Sequence, residues 1–212
     1  MYLKKFFQLI LFFIGSSLCA DVRTITADCA VLDDKLHTLR FNGHVTSKNN
    51  DLFFTADTAE VKYGNKFNSL DSAHLRGNIC VKFHDSKITS EHADFNGCTL
   101  EFSVDTFHFD QRKFCLFINK DLRMIAREFT AITSQKYVTK IIAKGHVYIL
   151  HNNSIIKADS AEFNRDENSI IFRGNVAILD SQKNCVKCNF CKINLREKKY
   201  YISGRIRGDI TL

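Results

Sequence analysis

The residues most suggestive of chemistry are Cys185, Cys188 and Cys191, which are spaced as C-x-x-C-x-x-C. Thiolates at this spacing resemble half of an iron–sulfur or zinc motif. A regular strand would place Cys188 on the face opposite Cys185 and Cys191, and no fourth ligand lies nearby in the sequence. We therefore expect no metal and no other cofactor. Buried small side chains, or one disulfide, is the preferred interpretation.

Catalytic motifs are missing from the sequence. It contains no G-x-x-x-x-G-K-[ST], H-E-x-x-H or G-x-S-x-G. Two of the eight histidines, His44 and His146, follow a glycine in the same short motif, which indicates a structural role. We expect a protein that is not an enzyme.

Composition places the chain among folded globular proteins, with 45% apolar and 25% charged residues in 212 positions. Proline is absent and there are only 9 glycines, which excludes collagen-like and flexible-linker chains. The net charge of +7 favours an anionic partner. The basic residues alternate along strands of a secreted repeat array, so we do not expect that partner to be nucleic acid.

The N-terminus has the layout of a secretory signal peptide. Lys4 and Lys5 precede an apolar run over residues 6–14, and small residues follow up to Ala20. This run has nine residues, of which all but Gln8 are apolar, and it is too short to cross a bilayer, which needs about 20. The predicted division is a signal peptide at 1–20 and a single β domain at 21–212; a retained anchor is the alternative.

An internal repeat carries most of the information in the sequence. Glycine followed by Asn or His and then Val or Ile begins at Gly43, Gly77, Gly145 and Gly174, with a weaker copy at Gly204. A second motif, A-D-x-A, occupies 27–30, 56–59 and 158–161, with variants at 90–93 and 188–191. Residues 98–140 are interpreted as a degenerate middle repeat.

Around each glycine, apolar residues alternate with polar and mostly basic ones. This period of two predicts amphipathic strands with one apolar face. Clusters of Asn, Asp and Gly between the strands predict hairpin turns and hence an antiparallel meander. The two small residues of A-D-x-A are three positions apart, so a β-bulge between them is needed to bring both inside.

These motifs resemble the OstA-like family of periplasmic lipopolysaccharide-transport proteins, which includes the LptA-like bridging proteins. The clearest stretch, residues 145–175, reads GHVYILHNNSIIKADSAEFNRDENSIIFRGN. The resemblance implies an all-β fold, an incomplete (open) β-jelly roll of about six two-strand antiparallel repeats. It also implies a periplasmic protein that shields the acyl chains of lipid A in an apolar trough and bridges the inner and outer membranes.

The resemblance further implies three kinds of partner: lipopolysaccharide, an inner-membrane adaptor with an outer-membrane translocon, and other copies of the chain stacked head to tail. Anionic headgroups would meet basic side chains, for which the candidates are Lys82, Lys140, Lys144, Arg173 and Arg205. The candidate lipid-lining residues are the inward apolar residues of the glycine strands: Phe41, Val45, Leu75, Ile79, Ile141, Val147, Ile149, Phe172, Val176 and Ile178.

Two other interpretations stay open. If the N-terminal segment is retained, the chain is the inner-membrane-anchored adaptor of the same machine, facing the periplasm. If the strands stack around a solid core, it is a structural β-repeat protein that takes up no lipid.

Overall fold

The computed structural model describes residues 9–11, 23–33, 35–48, 52–63, 70–96, 99–108, 113–119, 122–134, 137–151, 153–182 and 184–209. Apart from Leu9–Leu11, the predicted signal peptide lies outside these residues, so its cleavage stays a prediction. Cleavage near Ala20 would remove strand β1 and leave β2 at the edge of its sheet.

The described residues form an all-β, antiparallel structure, as the sequence predicts, and its meander is consistent with an open jelly roll. Hydrogen bonds join every strand into one network. The strands are β1 (Leu9–Leu11), β2 (Arg23–Thr26), β3 (Cys29–Asp33), β4 (Thr38–Lys48), β5 (Phe53–Tyr63), β6 (Leu70–Lys82), β7 (Ser86–Asn96), β8 (Thr99–Ser103), β9 (Cys115–Asn119), β10 (Arg123–Ala126), β11 (Glu128–Ser134), β12 (Tyr137–His151), β13 (Ser154–Asn164), β14 (Ser169–Leu179), β15 (Cys185–Asn194), β16 (Lys199–Ser203) and β17 (Arg207–Asp209).

The long strands β4–β7 and β12–β15 bend at their middles, so each contributes one half to each of two facing sheets. Sheet I contains β3, β8, β11, β16 and the halves that pair with them. Sheet II contains β1, β2, β9, β10, β17 and the remaining halves. We call the bends the corners and the turns at the far strand ends the tips.

The repeat motifs form the corners. At Gly174 and Asn175 the backbone takes φ of +74° and +46°, and these two residues lie opposite Asn189 alone on β15. Such a bulge turns the strand. Glycine adopts positive φ without strain, and Asn and His tolerate it better than most residues, which explains the Gly-[Asn/His] sequence. The Asn175 side-chain amide then donates to Asp159 Oδ2 at 2.9 Å, which fixes the bend.

Six corners occur in the described chain, matching the predicted number of repeats. In five of them a glycine lies against the residue at the Asp position of an A-D-x-A motif. Both small residues of that motif face the interior, as predicted; Ala158 is 6% exposed and Ala161 is 2% exposed. The pairs are Asp28–Gly43, Asp57–Gly77, Arg127–Gly145, Asp159–Gly174 and Asn189–Gly204.

The sixth corner belongs to the middle repeat, where the glycine is absent. Glu91 holds the Asp position there and accepts a hydrogen bond from the backbone N–H of Asp105 at 3.2 Å. The two halves of the expected strand are separate strands, β8 in sheet I and β9 in sheet II. A second break at Arg127 separates β10 from β11. The degenerate sequence at 98–140 thus corresponds to two strands that cross the corner as separate pieces.

Candidate functional site

The ten candidate lipid-lining residues all point between the two sheets. Nine of them are buried, from Val45 and Phe172 at 0% exposed to Leu75 at 8%. Ile178 differs, because it is only partly buried. The alternation therefore identified the inward face, while contact with lipid stays a prediction.

The middle of the interior is filled by the protein's own side chains. Phe117 of sheet II and Phe163 of sheet I meet there with ring centroids 6.1 Å apart. Burial raises the pKa of the nearby Cys115 thiol to about 12, and the carboxylates of Glu128 and Glu91 add to the shift. The space between the sheets is therefore packed and weakly polar at its middle.

Both ends of the strand array leave apolar side chains exposed. At the N-terminal end Leu32, on the inward face of β3, is 54% exposed. At the C-terminal end Tyr200 is 39% exposed, and Ile202 beside it on β16 is partly buried. Partial burial raises the pKa of Tyr200, with a smaller contribution from the Cys191 thiolate. Ile178 lies two strands from this end, so the interior is most accessible there.

One group of contacts joins the tips of the two sheets along the side opposite the corners, which we call the seam. Arg165, in the β13–β14 turn of sheet I, donates from Nη2 to both carboxylate oxygens of Asp85 at 2.9 and 2.8 Å. Asp85 lies in the β6–β7 turn of sheet II. The Arg165 guanidinium also lies over the Tyr137 ring at 5.1 Å, and His84 meets that ring edge-on at 5.6 Å.

Electrostatic interactions favour the paired state of Arg165 and Asp85, which we call the seam latch. Burial disfavours the charged form of Asp85, but hydrogen bonds from Arg165 and Ser86 outweigh it and hold the pKa of Asp85 below its usual value. Sequence reasoning missed this pair because its members are 80 positions apart in unremarkable turns.

The five candidate headgroup residues do not converge on one site. Lys140 pairs with Glu162 at 2.7 Å on the outer face of sheet I, and Arg173 approaches the same carboxylate at 3.7 Å. Lys144 is exposed on that face. Lys82 lies on the outer face of sheet II, with its ammonium 5.4 Å from the Phe53 ring centroid, and Arg205 is exposed just after the last corner.

A cavity of about 370 Å³ opens on the outer face of sheet I and not between the sheets. Asp94, Glu101, Glu128 and Lys144 line it together with strand backbone. This surface is polar, so it does not suit an acyl chain.

The cysteine motif forms part of the last repeat, on β15. Cys188 and Cys191 occupy the two small inward positions of the A-D-x-A variant, and burial raises the pKa of Cys191 to about 12. Cys185 pairs with Leu179 and lies on the face opposite Cys188, as alternation predicts. The expectation that Cys191 shares the face of Cys185 is wrong, because the bulge at this corner turns Cys191 inward beside Cys188. Elsewhere in the described chain, Glu91, His92 and Asp105 bring three potential metal-ligand atoms within 4.8 Å. His92 is hydrogen-bonded to Asp105 at 3.0 Å, so this group acts as the side-chain latch of the sixth corner.

Comparisons with known proteins find a likeness among solved structures but none in sequence. No family model matches the chain, and no curated protein is similar to it in sequence. A solved structure that is similar is LptH from Pseudomonas aeruginosa, described as the LptA homologous periplasmic component of the conserved lipopolysaccharide transport device. The identity is 9%, the TM-score is 0.26, and the match covers 90% of this chain and 95% of that one.

Bilayer-spanning helices are absent from the part of the chain that the structure describes.

Proposed function

We propose that this protein binds lipopolysaccharide in the periplasm and carries it between the membranes, with the lipid A acyl chains held between sheets I and II. The observation that carries the proposal is the apolar interior that runs through every repeat and is exposed at both ends of the array, where Leu32 and Tyr200 lie. A uniform lining of this kind lets a chain slide, whereas a shaped pocket would trap it.

Energetics make such a carrier necessary. Each methylene buried from water contributes about 0.8 kcal/mol, so an acyl chain of a dozen carbons costs on the order of 10 kcal/mol in water. A lipid with several chains therefore needs a continuous apolar path across the aqueous space. Basic side chains on the outer faces, among them Lys144 and Arg205, are available to anionic sugars and phosphates that stay in water.

Lipid enters this interior, in our proposal, by widening the seam. The packed contact between Phe117 and Phe163 must separate to admit a chain, and the pair Arg165–Asp85 must open first. Entry begins at the C-terminal end, where Ile178 and Ile202 are only partly buried and the least packing is lost.

Partners attach, in the same proposal, at the ends of the array. Strand β3 at one end and β16 with β17 at the other present sheet edges, and Val31 and Tyr201 there are 52% exposed. Edge strands that remain unpaired recruit other strands. The inner-membrane adaptor, the outer-membrane translocon and further copies of the chain are the partners proposed for these edges.

Site-specific photocrosslinking tests the lipid-binding proposal. A photoreactive residue at Ile178 or Ile202, facing the interior, is expected to label lipopolysaccharide in cells. The matched control is Arg173, on β14 like Ile178 but on the outer face. Equal labelling at inward and outward positions, or no labelling at Ile178 and Ile202, would refute the proposal. Fractionation of the same cells distinguishes a shortened soluble protein from the anchored adaptor.

A structural β-repeat protein is the second candidate, and the packed interior favours it. Residues such as Ile141, Met124 and Phe172 are 0% exposed, as in a solid core. This alternative predicts that cross-linking the seam has no effect on any transport phenotype. The lipid carrier predicts that a disulfide joining the tips, made by Asp85→Cys with Arg165→Cys, abolishes labelling at Ile178 and that reduction restores it.

A further inference from the structure

The outer face of sheet II carries a cluster of partly exposed apolar side chains. Register places Leu150, Ile155 and Leu179 side by side across three strands. Leu150 is 48% exposed and Ile155 is 45% exposed, although both belong to central strands. Together with neighbouring outward residues of β9 and β10 they form what we call the apolar patch: Leu116, Ile118, Ile125, Leu150, Ile155 and Leu179.

Basic residues surround and interrupt the apolar patch. Arg123 lies between Ile118 and Leu150 in the cross-strand row, and Lys157 pairs with Tyr148 and Ala177. Between the corners and the tips, the described strands of this face carry one acidic residue, Asp209 at the edge. The cations of the face are Lys48, Lys82, Lys87, Arg123, Lys157, Lys187 and Arg207.

These cations are left without acidic partners. Within the described residues, no carboxylate lies within ion-pair distance of Lys87, Arg123 or Lys187. On the outer face of sheet I, by contrast, Arg40 pairs with Glu60 at 2.9 Å, and Lys192 pairs with Glu167 at 3.3 Å. Carboxylates therefore pair with several cations on the outer face of sheet I, whereas the described strands of the outer face of sheet II carry seven cations and one carboxylate.

Exposed apolar side chains among unneutralised cations match one kind of surface, the interface of an anionic bilayer. The apolar residues insert at the headgroup level, and each Lys or Arg is attracted by the negative surface potential. Nucleic acid would leave the aliphatic patch in water, and a neutral apolar partner would leave the cations uncompensated. We propose that the outer face of sheet II is a peripheral docking surface for an anionic phospholipid bilayer, separate from the interior between the sheets.

Vesicle flotation of the mature chain tests this surface. Vesicles of phosphatidylcholine mixed with phosphatidylglycerol are expected to carry the protein upward, whereas vesicles of phosphatidylcholine alone are not. Lys157→Gln with Lys187→Gln is expected to weaken binding about tenfold or more at low salt. The matched control is Arg40→Gln with Lys192→Gln, which removes the same charge from sheet I and is expected to change binding less than twofold.

A second pair of variants tests the apolar component. Leu150→Thr with Ile155→Thr places β-branched threonine, which favours strands, at both positions and is expected to reduce flotation at every salt concentration. The chain has no tryptophan, so Ile155→Trp supplies a single fluorophore whose emission is expected to shift to the blue when anionic vesicles are added. Circular dichroism of each variant confirms that the fold is retained.

Three outcomes overturn the docking surface. One is equal binding to neutral and anionic vesicles, and another is an equal loss in the sheet I and sheet II charge variants. The third is a dimer in solution that Leu150→Thr with Ile155→Thr abolishes, because a second copy would then cover the patch. The vesicles contain no lipopolysaccharide, so this result is independent of labelling at Ile178.

Discussion

Replacing Gly174 by alanine tests whether the repeat glycines exist to form the corners. At φ of +74°, a Cβ on residue 174 would lie 2.3 Å from Asp159 Oδ2 and 3.0 Å from Asp159 Cβ. The left-handed conformation costs a non-glycine residue about 1–2 kcal/mol. Displacing Asp159 also breaks its bond with Asn175, worth about 1 kcal/mol. Alanine restricts the unfolded chain and recovers about 0.5 kcal/mol, so the expected net destabilisation is about 2 kcal/mol.

Urea denaturation followed by circular dichroism measures this loss, and two comparisons make it specific. Gly208→Ala is the matched control, because a Cβ there meets no atom within 4 Å, and it is expected to change stability by less than about 0.5 kcal/mol. In an Asp159→Ala background the contacts with Oδ2 and Cγ disappear and only the 3.0 Å approach of the two Cβ atoms remains, so Gly174→Ala is expected to cost about 1 kcal/mol less than in the wild type. If Gly174→Ala costs no more than Gly208→Ala, or if Asp159→Ala does not reduce its cost, the account of the corners is refuted.

Three further predictions concern the titratable groups of the fold. The hydrogen bond and the charge of Asp28 raise the pKa of His44 above its usual 6.5. The stabilisation of this corner is therefore fully present below pH 6.5 and is lost as the pH rises through the raised pKa. An NMR titration of His44 is expected to show the raised pKa in the wild type and its fall towards the usual value in Asp28→Asn. Burial raises the pKa of Cys115 to about 12, whereas Cys29 is exposed. A thiol reagent at pH 8 is therefore expected to label Cys29 rapidly and Cys115 only on unfolding. Rapid labelling of both thiols would contradict the packed interior. Because the pKa of Asp85 is lowered, the seam latch is fully stabilising above the usual carboxyl pKa and weakens as the pH falls through the lowered pKa. Asp85→Asn is expected to accelerate hydrogen exchange of the tip amides at pH 7. Unchanged exchange would show that the latch does not hold the seam.

Sequence periodicity predicted the strands, their inward faces and the corners because all three depend on local backbone geometry. Phe172 and Val176 lie on either side of the two-residue bulge and are separated by an even number of positions. Both side chains therefore face the interior, and the alternating pattern continues unchanged through the bend. The packing of the interior was not predictable in this way, because it depends on contacts between side chains of the two facing sheets. Phe117 and Phe163 make such a contact, although they are 46 positions apart and belong to different repeats.

The sequence does indicate the difference between the two outer faces, but the alternating pattern alone does not detect it. Three of the five candidate headgroup residues lie in the strand half before the glycine, which belongs to sheet I: Lys140, Lys144 and Arg173. Lys82 differs, because it follows its glycine and lies on sheet II. After the glycine, residues 147–150 read VYIL without interruption. An unbroken apolar run is typical of a strand covered on both faces. In this protein it marks the strand halves whose outer side carries the apolar patch.

The corners also determine how the interior can open. Every long strand passes through both sheets, so the sheets cannot slide past each other or separate at the corner side without breaking β-ladders on both sides of each bulge. The remaining motion is a hinge about the corners that parts the tips, and it breaks the contacts of Arg165 with Asp85 and Tyr137 while the ladders persist. The middle repeat suits such a hinge, since β8 and β9 are separate strands there and no glycine bulge joins the two sheets. In the proposed carrier, a lipid that binds the parted form would have to break the Arg165–Asp85 pair and the interior side-chain packing. Removing the ion pair should therefore favour uptake without altering the surface on which the lipid would be held.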